Sequence, residues 1–179
     1  GQELSAGQIA ELRGNDESER AYERALNFIS YRPRSKAEIR RNLRAKYDSE
    51  VIEAVVERLA RAGLIGDADF ASYWVENRLH FRPRGVRALR YELRQKGIED
   101  SVIDSVLMDV DEESAARQLA ESAVSRFRRL PESDFRKKLG NYLTRRGFPY
   151  QVVRPLVEEL AESIRSDDAS EMESEEHDA

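Results

Sequence analysis

Residues 82–98 read RPRGVRALRYELRQKGI, and this stretch decides how the rest of the chain is organised. It holds six basic residues and one acid. Val86, Leu89 and Leu93 follow the i, i+3, i+7 spacing of a single apolar stripe on a helix. Gly97 is a typical helix stop. The stretch therefore predicts a short amphipathic helix that buries its leucine side.

The same helix carries a second stripe, made of Arg87, Arg90 and Arg94. At about 100° per residue, this stripe lies roughly a quarter turn from the apolar one. A row of guanidinium groups beside a buried face suits an anionic partner, because Arg donates paired hydrogen bonds to phosphate or carboxylate. The alternative is that these residues only solubilise the surface and pair with Glu along the helix.

Related segments lie about 50 residues to either side of this helix, and they reveal an internal repeat. Two sets of apolar residues recur at a spacing of 50: Ile39, Leu89 and Leu139, and Leu43, Leu93 and Leu143. Strand patterns are missing, so we predict an all-α fold of three tandem three-helix repeats in an elongated, curved, solenoid-like array. The predicted segments are a flexible polar lead-in at 1–19, repeats at 20–63, 64–110 and 111–164, and a disordered acidic tail at 165–179.

Local signals mark several helix boundaries. A first helix is predicted from about Asp16, because Gly14 interrupts the weak apolar pattern before it. Ser35 and Glu38 fit a capping box, which predicts that a helix begins there. A helix that begins near Asp67 is predicted to bury three aromatic residues, Phe70, Tyr73 and Trp74.

The net charge of −5 hides a strong charge segregation. Residues 1–19 hold five acids and one base, and residues 166–179 hold seven acids and no base. The body between them, 20–165, has 29 bases and 23 acids, a net of +6. Of the 30 bases, 25 are Arg. A basic body with acidic ends favours a polyanionic partner over a neutral one.

The basic residues follow the repeat. Segments 32–46, 82–96 and 128–146 hold 20 of the 30 bases and only four acids, too few for internal pairing. We therefore predict that these segments bind DNA or a DNA-bound protein. The predicted binding residues are Arg32, Arg34, Lys36, Arg40, Arg44, Arg82, Arg84, Arg87, Arg90, Arg94, Lys96, Arg136, Lys137, Arg145 and Arg146.

Nothing in the sequence predicts catalysis. The chain has no Cys and two His in unrelated contexts, and it lacks nucleophile, zinc-ligand and phosphate-loop motifs. We expect no enzyme activity, no cofactor and no bound metal. No apolar run of about 18 residues occurs, so a cytoplasmic location is expected. The absence of a long heptad run favours a monomer.

A helix–turn–helix reader of duplex DNA is the structural rival, because short turns join the second and third helices of each unit. Residues 99–113, which begin the third helix of the second repeat, hold seven acids and no base. Their charge argues against insertion of that helix into a major groove. A helical scaffold for acidic proteins also fits the composition.

The chain resembles the RecX family of bacterial recombination regulators. Three stretches carry the resemblance: Arg32-Pro33-Arg34-Ser35 with Glu38, Ile39, Arg41 and Leu43; Gly63-Leu64-Ile65-Gly66-Asp67 with Phe70 and Ala71; and Gly85 with Leu89, Glu92, Leu93, Lys96, Gly97 and Ile98. The sequence departs from the family pattern at Gly66, where an acidic or amide residue is usual.

The resemblance implies a regulator without a catalytic site. Proteins of this family bind the RecA recombinase, alone or as its filament on DNA, and inhibit strand exchange, ATP hydrolysis and the co-protease activity of the SOS response. The implied partners are RecA, its nucleoprotein filament, and single- and double-stranded DNA. An independent helical nucleic-acid-binding protein or transcriptional regulator is the alternative.

Overall fold

The structure is a computed structural model that describes the backbone of residues 6–177 and the side chains of residues 14–166. Within this described part the chain forms nine α-helices and no strand. The helices are α1 (Ala6–Ser30), α2 (Lys36–Leu43), α3 (Ser49–Arg61), α4 (Asp67–Phe81), α5 (Val86–Gln95), α6 (Asp100–Leu107), α7 (Glu112–Phe127), α8 (Glu132–Arg145) and α9 (Tyr150–His177). The all-α prediction is confirmed.

The chain divides into two compact units that cut across the second repeat. The first unit comprises the chain up to Trp74 together with Leu93–Val106. The second comprises Val75–Glu92 together with the chain from Leu107 onward. Helices α1, α2 and α3 pack on one another in the first unit, and α7, α8 and α9 do so in the second.

The leucines predicted to face inward are the most deeply buried residues of the basic helices. Ile39 and Leu43 on α2, Leu89 and Leu93 on α5, and Leu139 and Leu143 on α8 are all 0% exposed. Ile39 and Leu43 share a core with Val55 and Leu59 of α3 in the first unit, and Leu139 and Leu143 share one with Phe148 and Val153 in the second. The 50-residue apolar register is thus confirmed as the inward face of each basic helix.

Glycine ends two of the basic helices. Gly97 and Gly147 have φ values of +74° and +93°, in the left-handed region that favours glycine. The Ile98 N–H donates to the Leu93 carbonyl at 3.1 Å, which closes the end of α5 as in a Schellman motif. These glycines turn the chain sharply, so the base before each one, Lys96 or Arg146, lies at a helix end.

Three sequence predictions about helix ends and burial differ from the structure. Helix α1 begins at Ala6 and not near Asp16, because one glycine inside a run of good helix formers costs only about 1 kcal/mol. Helix α9 continues to His177, through a segment predicted to be disordered, since Glu, Ala and Met favour helix locally. The predictions for residues 1–5 and 178–179 lie outside the described residues. Tyr73 is 40% exposed, so the prediction that it is buried is wrong.

Candidate functional site

The predicted basic residues lie on α2, α5, α8 and the segments that flank them, and none of the fifteen is buried. Six are exposed: Arg44, Arg82, Arg87, Arg94, Lys137 and Arg145. Nine are half-buried: Arg32, Arg34, Lys36, Arg40, Arg84, Arg90, Lys96, Arg136 and Arg146. All fifteen side chains therefore keep some contact with solvent, as an interface requires.

In the first unit, the carboxylate of Glu38 forms hydrogen bonds with two of the predicted basic residues. It accepts from the Arg32 guanidinium at 2.8 Å and from the Lys96 ammonium at 2.9 Å. The Ser35 N–H also donates to it at 3.2 Å, and the Ser35 hydroxyl accepts from the Glu38 N–H, which confirms the predicted capping box. One buried carboxylate thus fixes bases from two repeats, Arg32 at a separation of 6 residues in the chain and Lys96 at a separation of 58.

Glu38 stays ionised throughout the physiological range. Burial raises the pKa of its carboxyl group, but the hydrogen bonds from Arg32, Lys96 and the Ser35 backbone outweigh burial and lower the pKa to about 2. The cluster therefore holds two positive charges and one negative charge, a net of +1 facing solvent.

Arg34 is held by an aromatic ring and a backbone carbonyl. Its guanidinium lies 3.9 Å from the centroid of the Phe28 ring, and its Nε donates to the Phe28 carbonyl at 3.3 Å. Burial lowers the pKa of Arg34, and the neighbouring Arg32 lowers it further. A guanidinium so fixed needs little further ordering before it binds an anion.

Several predicted binding residues already have a carboxylate partner. Arg40 pairs with Glu53 at 2.8 Å, and Arg94 pairs with Asp100 at 2.7 Å. The pKa of each Arg is raised, chiefly by that hydrogen bond. In the second unit, Arg136 pairs with Glu132 at 2.7 Å. Solvent screens such exposed pairs and makes them weak, so a phosphate can displace the carboxylate.

Other bases have no such partner within the described part of the chain. No carboxylate there forms an ion pair with the following residues: Lys36, Arg44, Arg82, Arg87, Lys137 and Arg145. Their positive charges are therefore not balanced by a carboxylate partner in the described part of either unit. They are the first candidates for contact with an external polyanion.

The junction between consecutive repeats has the same construction in both units. In the first unit, the Ser35 hydroxyl donates to the Lys96 carbonyl at 2.6 Å, and the Lys36 N–H donates to Asp67 at 3.0 Å. Asp67 thus binds the start of α2 in the preceding repeat, whereas the sequence predicts that it caps its own helix. The start of α2 is thereby attached to the end of α5 and the start of α4.

In the second unit, the Gly85 N–H donates to the Arg146 carbonyl at 3.0 Å, and the Val86 N–H donates to Glu112 at 2.7 Å. A Cβ built on Gly147 would lie 2.5 Å from the Ala88 Cβ, just as one on Gly97 would lie 2.4 Å from the Ala37 Cβ. Each junction therefore places the base before the glycine, Lys96 or Arg146, beside the Arg-Pro-Arg loop of the preceding repeat.

Sequence reasoning missed two features of these surfaces. Glu38 is interpreted from sequence as a helix cap only, because its contact with Lys96 depends on tertiary structure. Tyr31 and Phe81 are 77% and 70% exposed, and the sequence analysis does not single them out. A repeated sequence pattern could have revealed them, because each directly precedes Arg-Pro-Arg and the two copies lie 50 residues apart.

Within the described side chains, no group of three or more His, Asp or Glu is arranged to hold a metal ion. Nor does any described helix combine the length and apolar character that a membrane span requires. The described part does present basic side chains at its surface, on α2, α5, α8 and the segments that flank them.

Three family models match the chain in order. They are described as RecX, first, second and third three-helix domain, and they match residues 21–59, 67–107 and 111–157. The chain belongs to the RecX family. Each match lies inside one predicted repeat, and the bounds 20–63, 64–110 and 111–164 themselves stay a prediction.

Relatives named "Regulatory protein RecX" match most of the chain. The protein of Prosthecochloris aestuarii is 34% identical over 149 residues, covering 82% of this chain and 97% of the relative. The protein of Mycobacterium sp. (strain KMS) is 38% identical over 148 residues, covering 78% and 80%. Members of the family are thus named as regulators.

Two solved structures have the same fold. The crystal structure of a regulatory protein RecX has a TM-score of 0.75 at 31% identity, covering 87% of this chain and 80% of that chain. The crystal structure of RecX from Lactobacillus salivarius has a TM-score of 0.71 at 24% identity, covering 82% and 97%. The RecX fold of tandem three-helix domains is therefore the fold of this chain.

Proposed function

We propose that this protein is a cytoplasmic, monomeric regulator that binds the RecA recombinase and RecA–DNA filaments. It inhibits strand exchange, ATP hydrolysis and co-protease activity, and so modulates DNA repair and the SOS response. It performs no catalysis of its own and needs no cofactor. Membership in a family of named regulators supports the proposal.

The observation that carries the proposal is the repeated junction. In the first unit it combines the bases of the Arg32–Arg34 loop with Lys96, and in the second it combines those of the Arg82–Arg84 loop with Arg146. Two surfaces of the same construction suit a partner that itself repeats, such as a filament of identical subunits on DNA. A binding element that occurs twice also gains avidity when both copies engage.

ATP hydrolysis by RecA on single-stranded DNA tests the proposal. Adding the protein at or below the RecA concentration should lower the rate of hydrolysis and of strand exchange. The variant Arg82→Glu/Arg87→Glu should inhibit less, because it reverses two exposed charges that have no carboxylate partner in the described structure. Arg94 is not a suitable target, since its reversal would also break the pair with Asp100.

A matched control is Arg126→Glu/Arg154→Glu, which makes the same change in net charge at two exposed residues outside the predicted surfaces. It should inhibit like the unmodified protein. A protein that leaves every RecA activity unchanged would contradict the proposal. Sequence-preferring binding to duplex DNA without RecA would support the helix–turn–helix alternative instead.

A further inference from the structure

Two loops of the protein share an unusual composition. Tyr31-Arg32-Pro33-Arg34 and Phe81-Arg82-Pro83-Arg84 lie 50 residues apart, each at the point where the first helix of a repeat ends, and Phe81 is the last residue of α4. Tyr31 and Phe81 are 77% and 70% exposed. Single exposed aromatic residues are common, but exposure at the same position of two repeats indicates a shared use.

The second loop borders a groove of about 500 Å³ in the second unit. Three guanidinium groups line it, those of Arg82, Arg84 and Arg146. The side chains of Gln118 and Tyr142 also line it and can donate hydrogen bonds, whereas the Ser122 hydroxyl donates to the Leu119 carbonyl at 2.7 Å. All the lining residues belong to the described structure, and no Asp or Glu is among them. The groove therefore selects an anion.

Neighbouring side chains fix the groups of this groove. The His80 ring is perpendicular to the Phe81 ring, with 4.5 Å between the ring centroids, and Phe81 remains 70% exposed despite this contact. The Arg146 guanidinium lies 5.0 Å from the centroid of the Tyr142 ring. The nearby carboxylate of Glu92 accepts from Arg78 at 2.7 Å and lies 3.5 Å from Arg84. That carboxylate is shared between two Arg residues, so positive charge remains in excess.

A nucleotide of a single strand has the chemistry that this groove would recognise. Its base has a flat face that stacks on an exposed aromatic ring, and its phosphate pairs with guanidinium groups. A base inside a duplex is already stacked on both faces and is not available to an external ring. The groove volume lies within the usual range for sites that hold one small ligand.

We infer that Phe81 and the groove behind it form a subsite for single-stranded nucleic acid, in which one base stacks on the Phe81 ring and Arg82, Arg84 and Arg146 hold the adjoining phosphate. The subsite deepens the proposed function and rests on it for the source of the strand, since a RecA–DNA filament contains one. Its binding chemistry needs no RecA, so it is tested without RecA.

A similar groove in the first unit is expected to bind an anion more weakly than the groove beside Phe81. It has a volume of about 620 Å³ and is lined by Tyr31, Arg32, Arg34 and the exposed Tyr73. Asp69 also lines it, and Arg32 is already bound to Glu38. A phosphate in this groove meets more negative charge than one beside Phe81. The two grooves therefore serve as an internal comparison.

Fluorescence anisotropy with a labelled oligothymidylate of about 20 nucleotides measures the binding, a length that covers one or two subsites. Phe81→Ala should weaken the affinity of the full chain about tenfold, as expected for the loss of one stacked base. Phe81→Tyr should bind like the unmodified protein, because the ring is kept. Tyr31→Ala should have a smaller effect than Phe81→Ala.

Tyr150→Ala is the matched control, since Tyr150 is an aromatic residue of similar exposure, 69%, that lines neither groove. Its affinity for the oligonucleotide should not change. Circular dichroism should show equal helicity for all these variants, because the replaced rings are mostly exposed.

The salt dependence separates stacking from charge. Phe81→Ala should leave the slope of log affinity against log salt unchanged, because no phosphate contact is lost. Arg82→Ala should reduce the magnitude of that slope by about one, the loss of one phosphate contact. Affinity for a blunt duplex should fall for Arg82→Ala and not for Phe81→Ala.

An unchanged affinity of Phe81→Ala for oligothymidylate would overturn the inference, as would equal losses for single strand and duplex. If Phe81→Ala binds the oligonucleotide normally but binds RecA without DNA more weakly, the ring contacts protein and the inference is also overturned. Inhibition of RecA by a protein that fails these oligonucleotide tests would leave the proposed function standing.

Discussion

At the scale of single residues, the buried carboxylate of Glu38 controls both stability and charge. Because its pKa falls from 4.5 to about 2 on folding, its contribution to stability is fully present above pH 4.5 and is lost as the pH falls toward 2. A shift of this size corresponds to roughly 3 kcal/mol, and the side chain is too buried for solvent to screen much of it.

Glu38→Gln should therefore lower the free energy of unfolding at pH 7 by about 2–3 kcal/mol, because Arg32 and Lys96 lose their shared partner. The variant should also lose the part of the pH dependence between pH 5 and 2 that Glu38 contributes. Urea unfolding followed by circular dichroism at several pH values measures both effects.

Glu53→Gln is the control, since Glu53 forms an exposed pair with Arg40, and it should change stability by less than about 1 kcal/mol. Equal pH dependence of Glu38→Gln and the unmodified protein would show that Glu38 is not the titrating group.

At the scale of helices, the repeated junction depends on glycines that end α5 and α8. Gly63 ends α3 in the same way, with φ of +68°, but a Cβ built on it would meet nothing within 4 Å. A Cβ on Gly147 would lie 2.5 Å from the Ala88 Cβ and 2.8 Å from the Ala88 nitrogen. Replacing Gly63 therefore tests the cost of backbone strain alone, whereas replacing Gly147 tests strain together with a steric clash.

Gly63→Ala should cost only the strain of a left-handed residue, about 1–2 kcal/mol. Gly147→Ala should cost clearly more, because the start of α5 must move as well. Thermal unfolding of the two variants under the same conditions compares them. Equal melting temperatures would mean that the junction tolerates a methyl group, contrary to the observed approach.

The helices also show which parts of the fold can be predicted from sequence. Features that depend only on local sequence are predicted correctly: a helix begins after the capping box at Ser35, and a helix ends just before Gly97. The buried Leu89 and Leu93 follow from periodicity. Helix ends without a strong stop, such as the start of α1, are missed, since one glycine does not break a helix.

The composition of the proposed binding surfaces can be predicted from the sequence, but the contacts between their side chains cannot. The sequence shows which segments are basic, but not that Glu38 joins Arg32 to Lys96 or that Asp100 pairs with Arg94. The Glu38–Lys96 contact spans 58 residues, and no local pattern encodes its geometry. The exposure of Phe81 likewise depends on packing that only the structure gives.

At the scale of the whole molecule, the acidic C-terminal segment opposes the basic surfaces electrostatically. Residues 166–179 hold seven acids and no base, so removing them changes the net charge from −5 to +2. A net negative protein is repelled by nucleic acid at long range, and salt screens this repulsion. The charge of the segment should therefore weaken binding to DNA.

A truncation that ends at Arg165 should bind oligothymidylate several-fold more tightly at low salt, on the order of the effect of charge steering. The advantage should vanish near 1 M salt, where the Debye length is about 3 Å. Anisotropy titrations over a range of salt concentrations measure this. A truncated chain with unchanged affinity at low salt would show that the acidic segment has no electrostatic effect.

Circular dichroism of the truncated and full-length chains tests whether the removed residues are helical. A loss of helical signal on truncation supports an α9 that continues to His177, and an unchanged helical signal supports the predicted disorder.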